Sequence, residues 1–193
     1  FFKIGNKWQN TYLKSLDPRK AIEKSMPFKS VIGTIVYPAC EIAAPGVIKH
    51  ISGNRFSLGE PSGEKTSRIL NLSKILTESG LKAPVTKKIR DELWIKLWGN
   101  VAFNPISALT GATLQQICAN NETRIIAENI MKEAKQVGEA LGVKFPISIE
   151  KRIAGAAAVG EHKTSMLQDL EAGRTMEIDV IVSSVQELGK LVK

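Results

Sequence analysis

The spacing of apolar and polar residues changes near residue 89 and divides the chain into two parts. Before that point, short apolar runs rich in β-branched residues, such as 31–37, predict strands separated by turns. After it, apolar residues recur at helical spacing almost throughout, and Pro105 and Pro146 are the only prolines. The pattern therefore predicts an α/β portion at 1–88 followed by an all-α domain at 89–193, an arrangement typical of two-domain enzymes.

Turn residues and periodicity place the individual elements. In the first part they predict a hairpin around the turn at 53–54, with strands at 46–52 and 55–58, and a helix over 64–79. The helices predicted for the second part lie near 89–103, 106–118, 121–141, 146–160, 163–172 and 175–191. The first two of these helices are separated at Pro105.

The helix that begins near residue 89 carries a polar stripe, although most of its surface is apolar. At about 100° per residue, Lys96, Asn100 and Asn104 are displaced by only about 40° per step, so they share one side. Buried polar groups need partners, because an unpaired group costs stability. A lysine and two amides on one side of the helix therefore indicate a binding site for a small polar ligand. The alternative is the solvated face of an amphipathic helix.

The composition is that of an ordinary globular protein, with 43% apolar and 24% charged residues among 193. No apolar run approaches the roughly 18 residues of a membrane span, so none is expected. Cys40 and Cys118 are the only cysteines, and they lack the CxxC spacing of zinc or redox motifs. This usage fits a reducing cytoplasm, and no metal site is expected.

The net charge of +8 favours anionic partners, which include nucleic acids, phosphorylated cofactors and acidic metabolites. The lysines are scattered, and the aromatic residues are not interleaved with them as a base-stacking surface requires, so nucleic-acid binding is disfavoured. None of the 15 glycines forms a G-x-G pair. The chain by itself therefore lacks the glycine-rich cradle that dinucleotide-binding and P-loop proteins use for phosphate.

A second polar constellation spans the last two predicted helices. Residues 164–170 supply hydroxyl, amide and carboxylate groups, and Glu177 follows the break at Gly173. The alternative, purely structural interpretation is that Thr164 caps a helix and that the carboxylates are solvated. Burial is more plausible for Glu177, because it lies between two apolar residues.

These residues together resemble the ketopantoate reductase (2-dehydropantoate 2-reductase) family. The resemblance covers nearly all of residues 30–190. It is carried by Lys96, Asn100 and Asn104 before Pro105, by 165–169, by 177–179, and by the segments 45–47 and 58–60. It implies that 1–88 is the second half of an NADP-binding Rossmann-type domain. It also implies that 89–193 is a helical substrate domain of the 6-phosphogluconate dehydrogenase C-terminal-like type.

The resemblance also assigns roles to residues. It makes Lys96 the catalytic general acid. Asn100 and Asn104 would bind the hydroxyl and carbonyl end of the substrate, and Ser165 would bind the substrate's carboxylate. The resemblance places Glu177 and Cys40 beside the cofactor. Lysine suits the acid role, because it can protonate the alkoxide left by hydride delivery and its pKa falls when it is desolvated. Two further substrate asparagines of the family fall near Leu114 and His162, where this chain has other residues, so another 2-keto acid is the alternative substrate.

The function implied is the NADPH-dependent reduction of ketopantoate, or of a related 2-keto acid, in pantothenate biosynthesis, by a cytoplasmic enzyme with a second copy of itself as an expected partner in a homodimer. The resemblance further implies that this chain is a truncated form that begins beyond the glycine-rich loop, and that it is inactive alone. A non-catalytic helical interaction or dimerisation module is the competing hypothesis, with the amphipathic helices at 121–141 and 175–191 as its partner faces. Mutually facing, buried site residues would favour the enzyme.

Overall fold

The computed structural model describes Lys7, Trp8 and residues 11–193. Four strands lie in the first half of the chain: β1 (Gly33–Val36), β2 (Ala39–Ala44), β3 (Val47–Ser52) and β4 (Phe56–Gly59). The α-helices are α1 (Ala21–Ser25), α2 (Ser67–Glu78), α3 (Ile89–Thr110), α4 (Leu114–Ala119), α5 (Asn121–Ala140), α6 (Ile149–Ala157), α7 (Ser165–Glu171) and α8 (Ser184–Val192). A 3₁₀ turn covers Phe28–Ser30, and a π-helical turn covers Asp179–Ser183. A small sheet portion followed by a mostly helical domain confirms the predicted fold class.

The chain forms two compact units, which are described separately. The α/β unit is Glu23–Leu93, and the helical unit combines Trp94–Lys193 with the described residues that precede Glu23. The few residues before the α/β unit are thus part of the helical unit. No helix in the described part of the chain is long and apolar enough to cross a membrane.

The strand pairing in the α/β unit differs from the sequence prediction. The hairpin expected around 53–54 is wrong: β3 folds back onto β2 around Gly46, and β4 pairs antiparallel with β1. Gly46 and Gly53 both adopt a positive φ, so both turns have the residue they need. The strands that follow the two turns differ in burial. Strand β4 packs its Leu58 into the core, while every residue of β3 is exposed.

The core of the α/β unit joins β4 to α2. Leu58, Ile69 and Ala83 are its buried centre, and Leu72 and Leu76 of α2 pack against it. The helix predicted over 64–79 is therefore confirmed as α2, with its apolar stripe on the sheet. This packing fixes the end of β4, which is followed directly by the buried carboxylate of Glu60.

Glu60 is a buried acid, 3% exposed, that follows β4 directly. Arg68 donates to both carboxylate oxygens, over 2.7 Å from Nε and 2.5 Å from Nη2, and Thr66 donates over 2.5 Å. The Arg68 hydrogen bonds, opposed by burial and helped by Thr66, lower the pKa of Glu60 to about 2. Arg68 also donates to the carbonyls of Lys29 and Val31, so one ion pair ties three segments together.

The helical unit is organised by α3, which runs unbroken through Pro105. The predicted break at Pro105 is wrong, and the helix ends instead before Gly111, where φ is +70°. Proline removes one backbone hydrogen bond, but buried residues on both sides, Phe103 and Ile106, hold the helix in place. Trp98 is also fully buried, and its indole N–H donates to the Met131 carbonyl over 2.7 Å.

A segment near the start of the described chain is fastened to α8. The carboxylate of Glu187 accepts hydrogen bonds from the backbone N–H groups of Lys14 and Ser15, over 2.9 and 3.0 Å. It also accepts one from the Ser15 hydroxyl, over 2.6 Å. These bonds lower the pKa of Glu187, with the Ser15 hydroxyl as the largest cause. They account for the membership of this segment in the helical unit.

A close approach between β4 and the start of α3 gives a stability prediction. A Cβ on Gly59 would lie 2.9 Å from Cγ2 of Ile89, closer than real side chains come. We expect Gly59→Ala to lower the free energy of unfolding by about 1–3 kcal/mol in urea titrations, because the core must shift. The matched control is Gly155→Ala in α6, where nothing lies within 4 Å of the new Cβ. It should raise stability by up to about 1 kcal/mol, and equal effects of the two variants would refute the close packing.

Candidate active site

The polar stripe predicted on α3 is present, and its three members differ in burial. Lys96 is exposed, Asn100 is half-buried, and Asn104 is only 5% exposed. Trp94, Trp98 and Val101 of the same helix are buried. The stripe thus runs from the surface into the core of the helical unit. A solvated polar face does not describe its inner end.

Asn104 holds a buried hydrogen-bond donor without a partner. Its side-chain Nδ2 is inaccessible to solvent and has no acceptor. Within the described chain, the side chains of Asn100 and Ser165 also form no hydrogen bond. An orphaned buried amide costs about 1–3 kcal/mol, so it needs an explanation such as a ligand that supplies the acceptor. Amide and hydroxyl groups of this kind suit an oxygen-rich small molecule.

Lys96 lies in an environment that weakens its hold on the proton. Although part of the side chain reaches solvent, burial by the surrounding protein lowers the pKa of Lys96, and the charge of Glu177 opposes that shift. The two groups are therefore within electrostatic reach of each other. Glu177 itself is exposed and follows α7, and its carbonyl accepts a hydrogen bond from Ile181 in the π-helical turn, over 3.0 Å. Such turns are often found at functional sites.

The predicted site residues belong to both units, and five of the six lie in the helical unit. Helix α3 carries Lys96 and both asparagines, and Glu177 acts on Lys96. Ser165 is exposed as the first residue of α7, where Thr164 caps the helix by accepting from the Leu167 N–H. Cys40 belongs to the α/β unit and is exposed on β2, opposite His50 of β3. The roles assigned to all of these residues stay predictions.

Two positions that depart from the family's substrate asparagines are neighbours. The backbone N–H of Leu114 donates to the carbonyl of His162 over 3.0 Å. The same junction is tied by Thr113, whose hydroxyl donates to Glu161 over 2.8 Å. Both departures therefore fall at one place in the helical unit, where α4 begins.

Sequence reasoning missed a contact between α3 and α6. A Cβ on Gly99 would lie 2.7 Å from Cζ and 3.1 Å from Nε of Arg152, so the guanidinium occupies the space of the absent side chain. The available signal was Gly99 itself, because glycine inside a helix is costly and often marks a close approach.

Comparisons with known proteins agree on one protein family. Residues 88–193 match the family "Ketopantoate reductase PanE/ApbA C terminal". A 2-dehydropantoate 2-reductase from Mesorhizobium japonicum is 56% identical over all of this chain and 59% of its own length. The crystal structure of a 2-dehydropantoate 2-reductase from Methylococcus capsulatus is 31% identical, with a TM-score of 0.80, over 91% of this chain and 57% of that one.

A crystal structure of a protein from Ralstonia solanacearum MolK2 matches more closely in shape. Its TM-score is 0.91 at 36% identity, over 96% of this chain and 56% of that chain. The helical unit is thus a C-terminal domain of the ketopantoate reductase type. The chain belongs to the ketopantoate reductase family. It spans a little more than half the length of the relatives it matches.

The electrostatic pair gives a testable pKa prediction. We expect the pKa of Lys96, followed by NMR of its side chain, to lie below that of an ordinary lysine, because burial disfavours the charge. Glu177→Gln should lower it further, since the carboxylate that favours the ammonium is removed. Asp179→Asn, a carboxylate two residues away, is the matched control and should change it less. An unchanged Lys96 pKa in Glu177→Gln would show that the two groups are not neighbours.

Proposed function

We propose that this chain supplies the substrate and proton-donor half of an enzyme that reduces ketopantoate, or a related 2-keto acid, to the 2-hydroxy acid with NADPH. The place of that reaction is pantothenate biosynthesis. Membership of the ketopantoate reductase family supports the proposal. The observation that carries it is the unpartnered buried amide of Asn104 on the same helix as Lys96, whose pKa is lowered.

Lys96 is the proton donor in this proposal. NADPH, when bound, supplies the hydride to the carbonyl carbon of the substrate. The carbonyl oxygen then gains negative charge, and the Lys96 ammonium both stabilises that charge and transfers its proton to the oxygen. A lowered pKa helps, because a weaker hold on the proton brings the donor nearer the working pH.

The remaining residues orient the substrate and the cofactor. Asn100 and Asn104 donate to the substrate's hydroxyl and carbonyl oxygens, which satisfies the buried amide of Asn104. Ser165 donates to the carboxylate. Glu177 and Cys40 are assigned to the cofactor side by resemblance. The chain has no glycine-rich phosphate cradle, so the residues present fit the substrate better than the cofactor phosphates.

A non-catalytic helical interaction module is the second candidate. It is favoured by the exposure of Ser165 and Glu177 and by two exposed apolar residues of α5, Ile125 and Ile126. The same surface would serve a homodimer of the enzyme. The module does not explain why a buried asparagine amide lacks a partner, and the enzyme does.

The first test concerns the cofactor. We expect the 193-residue chain alone to bind NADPH weakly or not at all in a fluorescence titration, because it lacks a phosphate cradle. Free NADP and a known ketopantoate reductase serve as the negative and positive controls. Micromolar binding by the chain would contradict this expectation and would place the cofactor site within these residues.

The second test concerns catalysis. A chimera would place the N-terminal part of the Mesorhizobium relative, which has no counterpart here, before residues 1–193. We expect it to oxidise NADPH when ketopantoate is added, and Lys96→Ala should lower kcat at least about 100-fold, because the general acid is lost. Lys163→Ala, an exposed lysine paired with Glu171, is the control and should retain activity. Near-normal turnover by Lys96→Ala would refute the assignment, and an inactive chimera would favour the module.

A further inference from the structure

One face of the sheet in the α/β unit carries a row of three exposed side chains, those of Tyr37, Arg55 and Lys82. Tyr37 follows β1 and donates its backbone N–H to the carbonyl of Arg55 over 3.1 Å. On the other side of Arg55, Lys82 is its partner in a parallel β-bridge. Residues that lie directly opposite each other on neighbouring strands point to the same face of a sheet. The three side chains are therefore neighbours, although they come from three separate segments of the chain.

The guanidinium group of Arg55 is held in place by two contacts. Its Nε donates to Oγ of the fully buried Ser57 over 3.0 Å. Its Cζ lies over the ring of Tyr37, 5.6 Å from the centroid, which is within the range of a cation–π interaction. In the described part of the chain, no acceptor takes the N–H groups of its two terminal nitrogens. The group is thus oriented by the protein, while most of its N–H donors are left for a ligand.

The two positive charges in this row have no acidic partner. Within the residues that the structure describes, neither Arg55 nor Lys82 forms an ion pair, in contrast to Arg68, which binds Glu60. Like charges that lie opposite each other on neighbouring strands repel, so this arrangement costs stability, and an anion bound between them would remove that cost. The excess of positive charge in the whole chain lies in residues 1–93, because 94–193 contain equal numbers of acidic and basic residues.

We propose that Tyr37, Arg55 and Lys82 form a binding site for the phosphate group of a small molecule. A phosphate monoester carries a charge of about −1.5 to −2 at neutral pH, which matches two cations better than a singly charged carboxylate does. The planar fork of arginine binds two phosphate oxygens at once, and lysine adds a point charge. The proposal does not rest on the proposed function, since all three residues belong to the α/β unit and none of them is assigned to the substrate or the cofactor.

Titration of the 193-residue chain with inorganic phosphate tests the site directly. At constant ionic strength, we expect a saturable shift of the Arg55 Nε–H resonance in NMR spectra, a proton that the hydrogen bond to Ser57 protects from exchange. Acetate should bind at least about 10-fold more weakly, because it carries a single charge. Equal affinities for phosphate and acetate, or the lack of any shift with phosphate, would overturn the proposal.

Paired variants separate this site from the general charge of the surface. Arg55→Gln and Lys82→Gln should each weaken phosphate binding about 10-fold, because charge-assisted hydrogen bonds are lost. The signal to follow is the backbone N–H of Phe56, which lies beside both residues and donates to the Lys82 carbonyl over 2.7 Å. Lys74→Gln is the matched control, because it removes the same charge from an exposed lysine of α2 that pairs with Glu78, and it should leave the affinity unchanged. Equal losses in Lys74→Gln and Lys82→Gln would show that net charge alone acts, and would refute the site.

A nucleotide distinguishes the free ion from a phosphate carried by a larger molecule. Adenosine 5′-monophosphate shares the phosphate group with the inorganic ion, and adenosine lacks it. If the nucleotide binds no more tightly than the free ion, the site recognises the phosphate group alone. Tighter binding of the nucleotide adds stacking of its base on the exposed ring of Tyr37, and Tyr37→Leu should then remove the difference. Binding of adenosine as tight as that of its monophosphate would contradict the proposal.

Discussion

Helix α3 carries polar groups from the surface into the core of the helical unit, and the chemistry of the chain depends on that constraint. Partial burial lowers the pKa of Lys96, and deeper along the helix the buried amide of Asn104 has no partner. The unpartnered amide costs stability. A ligand that accepts a hydrogen bond from Asn104 would recover that cost.

The α/β unit contributes rigidity of a different kind. Its buried acid, Glu60, is hydrogen-bonded by Arg68 and Thr66, whereas the buried side-chain nitrogen of Asn104 on α3 has no partner. The contrast is informative because the two kinds of buried polar group serve different ends. The hydrogen-bonded carboxylate of Glu60 joins segments of the chain. The unpartnered amide of Asn104 has no such structural role and is available to a ligand.

Local patterns predicted much of this arrangement, and long-range contacts account for what they missed. The stripe of Lys96, Asn100 and Asn104 follows from helical periodicity alone, and so does α2. The pairing of β4 with β1 could not be predicted, because turn residues at 46 and 53 are equally good and only burial of Leu58 separates them. Arg152 escaped notice because its partner, Gly99, lies on another helix and gives only the weak signal of a helical glycine.

The hydrogen bonds between Glu187 and the segment at Ser15 affect the order in which parts of the chain fold. The two residues are 172 positions apart, so their contact closes a loop that contains the whole α/β unit. During synthesis, the α/β unit can form its core long before α8 leaves the ribosome. The segment around Ser15 must wait for that last helix, which makes completion of the helical unit a late, non-local event in folding.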